Sequence, residues 1–141
     1  MIHSLKELLQ NNTSLSIISH INDQISTLLG VKLKKNKMYE LSCTTHSFVN
    51  IDDKLTILGI IIISSKSFIF EGDVFIIEAL SSKYNDKILE QSLLLKGINH
   101  IYNLVPNNNN KVISFVGNER IQQESLSAFG FVHSQGIMTK I

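Results

Sequence analysis

Glu78 is the first residue to explain, because it interrupts the run Val74, Phe75, Ile76, Ile77, Ala79 and Leu80. Without it, that run has the near-continuous apolarity of a strand covered on both faces. Burial makes a carboxylate a stronger base, able to take a proton from an amine directly or through water. The plainer alternative is a side chain that reaches solvent at a strand end. Cys43 and His46 are a second candidate, as nucleophile and base, because an imidazole beside a thiol favours the thiolate. Against it, residues three apart on a strand point to opposite faces, and a lone cysteine in an alternating strand usually packs inside. His20 and Asp23 stand one helical turn apart, close enough for a hydrogen bond or for two ligands of a metal. No third ligand is near them, so a polar helix face is the favoured reading and no metal site is expected.

The elements that position these groups follow from periodicity. Gly72 to Leu94, GDVFIIEALSSKYNDKILEQSLL, carries the apolar strand through a short polar turn into an amphipathic helix. From Asn85 the spacing predicts Ile88, Leu89, Leu94 and Leu95 on one side of that helix and Lys87, Glu90 and Gln91 on the other. Where a strand hands over to a helix, the first-turn amides point into one small volume and favour an anion. Upstream, Ser4 and Glu7 form a capping box for a short helix with Ile2, Leu5, Leu8 and Leu9 as its stripe. Ile18, Ile21, Ile25, Leu28 and Leu29 predict a second helix over at least Ile21 to Leu29, stopped by Gly30. Tyr39, Leu41 and Cys43 alternate as a strand does, Phe48, Val49 and Ile51 continue, and Asp52-Asp53-Lys54 reads as a turn. Leu55 to Ile63 is the strongest strand, after which Ser64 to Ser67 turns the chain and Phe68 to Phe70 begins a return. Downstream, Gly97 stops the central helix and Ile101 to Val105 is extended up to Pro106. Lys111 to Val116 is a strand, Asn118 caps a last helix that Gly130 ends, and Phe131 to Ile141 is a final edge strand with a turn or bulge at Gly136.

Length and composition narrow the function. A chain of 141 residues, 43% of them apolar, supports one domain with one substantial core. The net charge is +1 and Arg120 is the only arginine, so the clustered cations that neutralise nucleic-acid phosphates are missing. Lys32, Lys34, Lys35 and Lys37 read as a solvated loop. One cysteine allows no internal disulfide, no stretch reaches the roughly 20 apolar residues of a membrane helix, and Met1 to Asn12 lacks the apolar core of a signal peptide. A cytoplasmic location, without nucleic-acid or membrane partners, is expected.

The strand, turn and helix of Val74 to Leu95, together with Asn118 to Phe131, NERIQQESLSAFGF, resemble the GCN5-related N-acetyltransferases in order and spacing. The resemblance covers roughly the second half of the chain, and the strands around Leu55 to Ile63 fit the family's preceding hairpin arm. Residues 1–37 form a helical part that matches poorly. The resemblance implies an α/β (α+β) domain over residues 1–141, with a mixed, largely antiparallel central sheet flanked by helices. It also implies a cleft where Val74 to Leu80 splays from Val112 to Val116. There acetyl-CoA or another acyl-CoA would be held by Ala79, Leu80, Ser81, Ser82, Lys83, Asn85 and Lys87. The family's pyrophosphate loop, Q/R-x-x-G-x-G/A, aligns with Asn85 to Glu90, which puts Ile88 and Glu90 at its two small positions. A tyrosine that many members use to protonate the departing thiolate is replaced by Leu126. Glu78 as base and Ser125 as a substitute acid are then the catalytic candidates. Three functions follow: a divergent N-acyltransferase acting on an amine, a non-catalytic module of the same fold that binds a protein partner, with or without CoA, or a structural component with no small ligand.

Overall fold

The computed structural model describes residues 1–11, 15–32, 46–68, 72–104 and 111–140. The expected strand over Tyr39, Leu41 and Cys43 lies outside them. Among the described residues seven strands form one sheet, in the order β1 (Ile2–Ser4), β2 (Phe48–Ile51), β3 (Ile57–Phe68), β4 (Gly72–Ser82), β5 (Lys111–Phe115), β7 (Ile137–Lys140), β6 (Phe131–Ser134). Neighbours are antiparallel except β4 and β5, so the mixed, largely antiparallel class is the one that forms. Both faces are covered. Helices α1 (Leu5–Asn11) and α2 (Leu15–Leu29) bury Leu5, Leu9, Ile21, Ile25 and Leu29 against Val49, Ile60, Ile62 and Ala79. On the opposite face, α3 (Lys87–Leu104) and α4 (Gln123–Ala128) bury Leu93, Leu94, Ile98, Ile101 and Leu126 against Ile61, Ile63, Phe75, Ile77 and Leu80. Alternate isoleucines of β3 thus enter two different cores, which is why the strand reads as an unbroken apolar run.

Four expectations about the elements are corrected. Ser64 to Ser67 is not a turn: these residues continue β3 and pair with Ile76 to Asp73. Their side chains are polar because this end of the hairpin reaches solvent, while its backbone stays paired. Ile2 to Ser4 is a strand against Asn50 to Phe48, not part of the first helix stripe, and the amide of Leu5 bonds to the Ser47 carbonyl. Phe131 to Lys140 keeps the expected turn at Gly136, but that turn joins two paired strands into a hairpin where one edge strand was expected. It turns through Gln135 (φ 52°) and Gly136 (φ 77°), the two left-handed residues that a tight hairpin demands, and its second strand is the one that lies against β5.

Gly97 is the fourth. It does not stop α3, which continues to Leu104, so the residues from Ile101 to Leu104 that were expected to be extended form its last turn. A Cβ at Gly97 would sit 2.8 Å from Cδ1 of Ile63, a side chain with no exposure. The glycine lets the helix approach the sheet closely, and that contact outweighs its poor helix propensity. Gly97→Val should therefore destabilise the protein by about 1–3 kcal/mol through overpacking, seen as a lower urea midpoint. An unchanged midpoint would mean that α3 does not lie this close to β3.

Candidate functional site

Glu78 lies at an irregularity of β4. The register with β3 passes from Ile62↔Ala79 to Ile63↔Ile77, so Glu78 is the extra residue of a β-bulge. The bulge returns Leu80 to the same core as Ile77 and leaves the Glu78 side chain exposed. On its other edge, β4 pairs with β5 only from Val74↔Lys111 to Ile76↔Ile113. Beyond that point the expected cleft is spanned by the chain itself. Ser114 Oγ donates to the Ile77 carbonyl at 3.4 Å, and Asn118 Nδ2 donates to the Glu78 carbonyl at 3.0 Å. The Leu80 amide donates to the Arg120 carbonyl at 2.9 Å, and the Leu80 carbonyl accepts from the Gln122 amide at 3.1 Å. Asn118 is therefore a bridge to β4 and not the cap of the last helix, which begins at Gln123. Both backbone groups of Leu80, one of the residues expected to hold the donor, are in use.

The turn that follows carries its own anions. Tyr84 and Asn85 take left-handed conformations, with φ of 61° and 51°, in a short 3-10 turn over Lys83–Asn85. Asp86 then caps α3, its Oδ1 accepting the Leu89 amide at 3.2 Å. Its own amide donates to Ser82 Oγ at 2.7 Å. Glu90, one turn into the helix, has no exposure at all. One of its carboxylate oxygens accepts the Ser82 hydroxyl and the other accepts the Ser125 hydroxyl at 2.6 Å. Lys87 lies between two carboxylates, 4.0 Å from Glu90 and 3.5 Å from Glu124. Gln91 Nε2 donates to the Ser125 carbonyl at 2.6 Å. The end of β4, the first turn of α3 and α4 are thereby joined through one buried carboxylate. Of the expected site residues, Ser82 and Ser125 are brought together by this group, while Lys83 and Asn85 remain exposed in the turn.

The helix face is rotated from the one read from hydrophobicity: Leu89 and Leu94 face the core and Lys87 faces solvent as expected, but Ile88, Leu95 and Glu90 do not follow. Glu90 is inside with Leu93, Leu94, Gly97, Ile98 and Ile101, whereas Ile88 is 81% exposed and Leu95 is half exposed. The signal that could have found this is the pair of serines: a carboxylate can go inside when two hydroxyls wait for it. Leu126, at the place of the missing tyrosine, is fully buried in the core.

A second polar group was not legible at all. His46 Nδ1 and His100 Nε2 lie 3.1 Å apart, with the rings edge-on to Phe75 and Phe48 respectively. Burial lowers the pKa of both imidazoles, helped by His100 beside His46 and by Lys96 beside His100. Cys43, the proposed partner of His46, lies outside the described residues. Among the described residues no three metal-ligating side chains come together, and His20 and Asp23 face outward. No helix among them is long and apolar enough to cross a membrane.

The fold as a whole is similar to that of solved acetyltransferases. The chain is similar to the N-acetyltransferase YhbS of Escherichia coli, solved in complex with CoA, at 13% identity and a TM-score of 0.67 over 99% of this chain and 79% of that one. It is also similar to Naa50 of Arabidopsis thaliana, solved with a bisubstrate analogue, at 10% identity and 0.66, covering 92% and 95%. A GNAT family acetyltransferase from Staphylococcus aureus matches at 12% identity and 0.63, covering 99% and 97%. No family model and no curated protein matches the sequence. The chain has the fold of the GCN5-related N-acetyltransferases.

Two measurements test this geometry. Glu90→Ala leaves the Ser125 hydroxyl without its acceptor, while Ser82 Oγ keeps the amide and carbonyl of Asp86, so it should destabilise the protein by about 1–3 kcal/mol in urea titrations. Glu90→Gln, which keeps an acceptor, should lose less, and equal losses would contradict the two-serine contact. For the histidine pair the sign follows from its lowered pKa values. The unfolded chain takes up protons below about pH 6.5 while the folded pair resists them, so stability should fall as the pH drops through that value. His100→Gln should flatten this slope, and an unaltered slope would place its origin elsewhere.

Proposed function

We propose that this chain is a non-catalytic module of the acetyltransferase fold that binds a protein partner at the surface over the start of α3. The observation that carries the reading is the double use of Leu80, whose amide and carbonyl are bonded to Arg120 and Gln122 and not left for a ligand. The turn agrees with it. Ile88 and Glu90 stand where the family's loop has its small residues, and the carboxylates of Asp86 and Glu90 occupy the helix terminus that would attract a pyrophosphate. Ile88, Leu95 and Phe129 instead line a shallow depression of about 410 Å³ with Lys87, Gln91 and Ser92. An exposed isoleucine beside a leucine and a phenylalanine is surface that a partner's apolar side chains can cover.

The second reading is an acyl-CoA-dependent N-acyltransferase, favoured by the exposed Glu78 on the bulge of β4 and by likeness to proteins solved with CoA. It requires Arg120 to Gln122 to leave Leu80 before a donor enters, after which Glu78 would deprotonate an amine. Calorimetric titration with CoA and with acetyl-CoA separates the two. The module reading expects no saturable heat from either. Micromolar binding that weakens in Lys87→Ala would overturn a module closed to CoA, and acyl transfer that Glu78→Gln abolishes without unfolding the protein would then select the enzyme over a module that keeps CoA.

A further inference from the structure

A cavity of about 860 Å³ opens at the far edge of the sheet, between β1, the start of β2, α1 and the C-terminal half of α3. None of the residues around Leu80, Ser82 or Glu90 lines it. Its volume falls within the range of small-molecule sites, and its walls are polar. Three features make it more than a groove. The first is the hydrogen-bonded pair His46 and His100, both of which line it. Two neutral imidazoles joined by one hydrogen bond keep one further N–H donor and one further acceptor between them. The second is Ser47, which also lines the cavity. It is 2% exposed, yet its hydroxyl has no partner among the described residues. A buried hydroxyl left unpaired costs the fold stability, and such groups are ordinarily met by a ligand or an ordered water. The third is charge. Lys6 from α1 and Lys96 from α3 face the space against the carboxylate of Glu7, the one carboxylate among the described lining residues, and His3 of β1 adds a third imidazole.

We propose that this cavity binds a small metabolite carrying an oxyanion, a carboxylate or a phosphate, with the Ser47 hydroxyl and the His46–His100 pair as donors and Lys6 and Lys96 as the attracting charges. A metal ion is the poorer fit, because among the described residues no third ligand joins the two imidazoles. An anion uses what is present: the unpaired hydroxyl donates to it, and the histidine pair gains a second outward donor when it takes up a proton. Binding should therefore draw protons from solution, an effect that an apolar or cationic ligand would not produce.

Calorimetry on the full chain tests this, with inorganic phosphate and citrate as separate probes. Each titration is run in two buffers of different ionisation enthalpy and at two salt concentrations. The expected result is saturable binding of at least one anion, accompanied by proton uptake and weakened by salt. Whichever probe binds more tightly identifies the headgroup. Ser47→Ala should weaken that binding by about tenfold or more, while leaving the protein no less stable, since it removes a hydroxyl that has no partner. Lys96→Gln, at an exposed position, should weaken it in a protein that folds whatever Ser47→Ala does. No saturable heat from either anion overturns the proposal. So does binding that both variants retain, which would mark an adventitious ion only. Zinc binding lost in His100→Gln, without any binding of anions, would overturn it in favour of a metal site.

Discussion

A strand buried on both faces cannot leave its edge unpaired, and most of this structure follows from how β4 meets that demand. On one side the long antiparallel ladder with β3 takes its backbone groups. On the other, β5 does so only as far as Ile76. The groups beyond, down to Leu80, sit in the middle of the protein, where an unsatisfied amide or carbonyl is expensive. A fold with this split can fill it with a ligand or with itself. Here Ser114, Asn118, Arg120 and Gln122 supply the missing partners in turn.

Closing the split commits the neighbouring elements. Once the segment after β5 lies against Leu80, α4 begins next to the first turn of α3, and the two helices need a joint. Glu90 provides it, with one oxygen to β4 through Ser82 and the other to α4 through Ser125. The same placement turns Ile88 outward, so the apolar surface beside the turn and the buried carboxylate within it have one geometric cause. A residue of the size and charge of Glu90 at a position suited to glycine is thus compatible with the fold, provided that two hydroxyls meet it.

The broad architecture was legible because it depends on local signals that agree with one another. The apolar run of β4, the change of period after Asn85, the strand before Asn118 and the stop at Gly130 are properties of neighbouring residues, and their order sufficed to suggest the fold. The misreadings share a different origin. Gly97 looked like a helix stop, Ser64 to Ser67 like a turn, and Glu90 like a solvent-facing residue, because each is judged locally by its own propensity. Gly97 is instead explained by Ile63, Ser64 to Ser67 by their pairing with β4, and Glu90 by Ser125.

What the sequence determined by itself is the set of strands and helices around β4, the presence of a carboxylate at Glu78, and the departure from a glycine loop at Ile88 and Glu90. Side-chain size and backbone period depend on residues a few positions apart, so they can be read along the chain. Only the tertiary structure decided that Leu80 is paired by Arg120 and Gln122, that Glu90 lies inside between two serines, and that His46 meets His100 beside an unpaired Ser47. Those contacts join residues that are distant along the chain, and a hydrogen bond is set by the positions of both partners in space, which no single stretch of sequence contains.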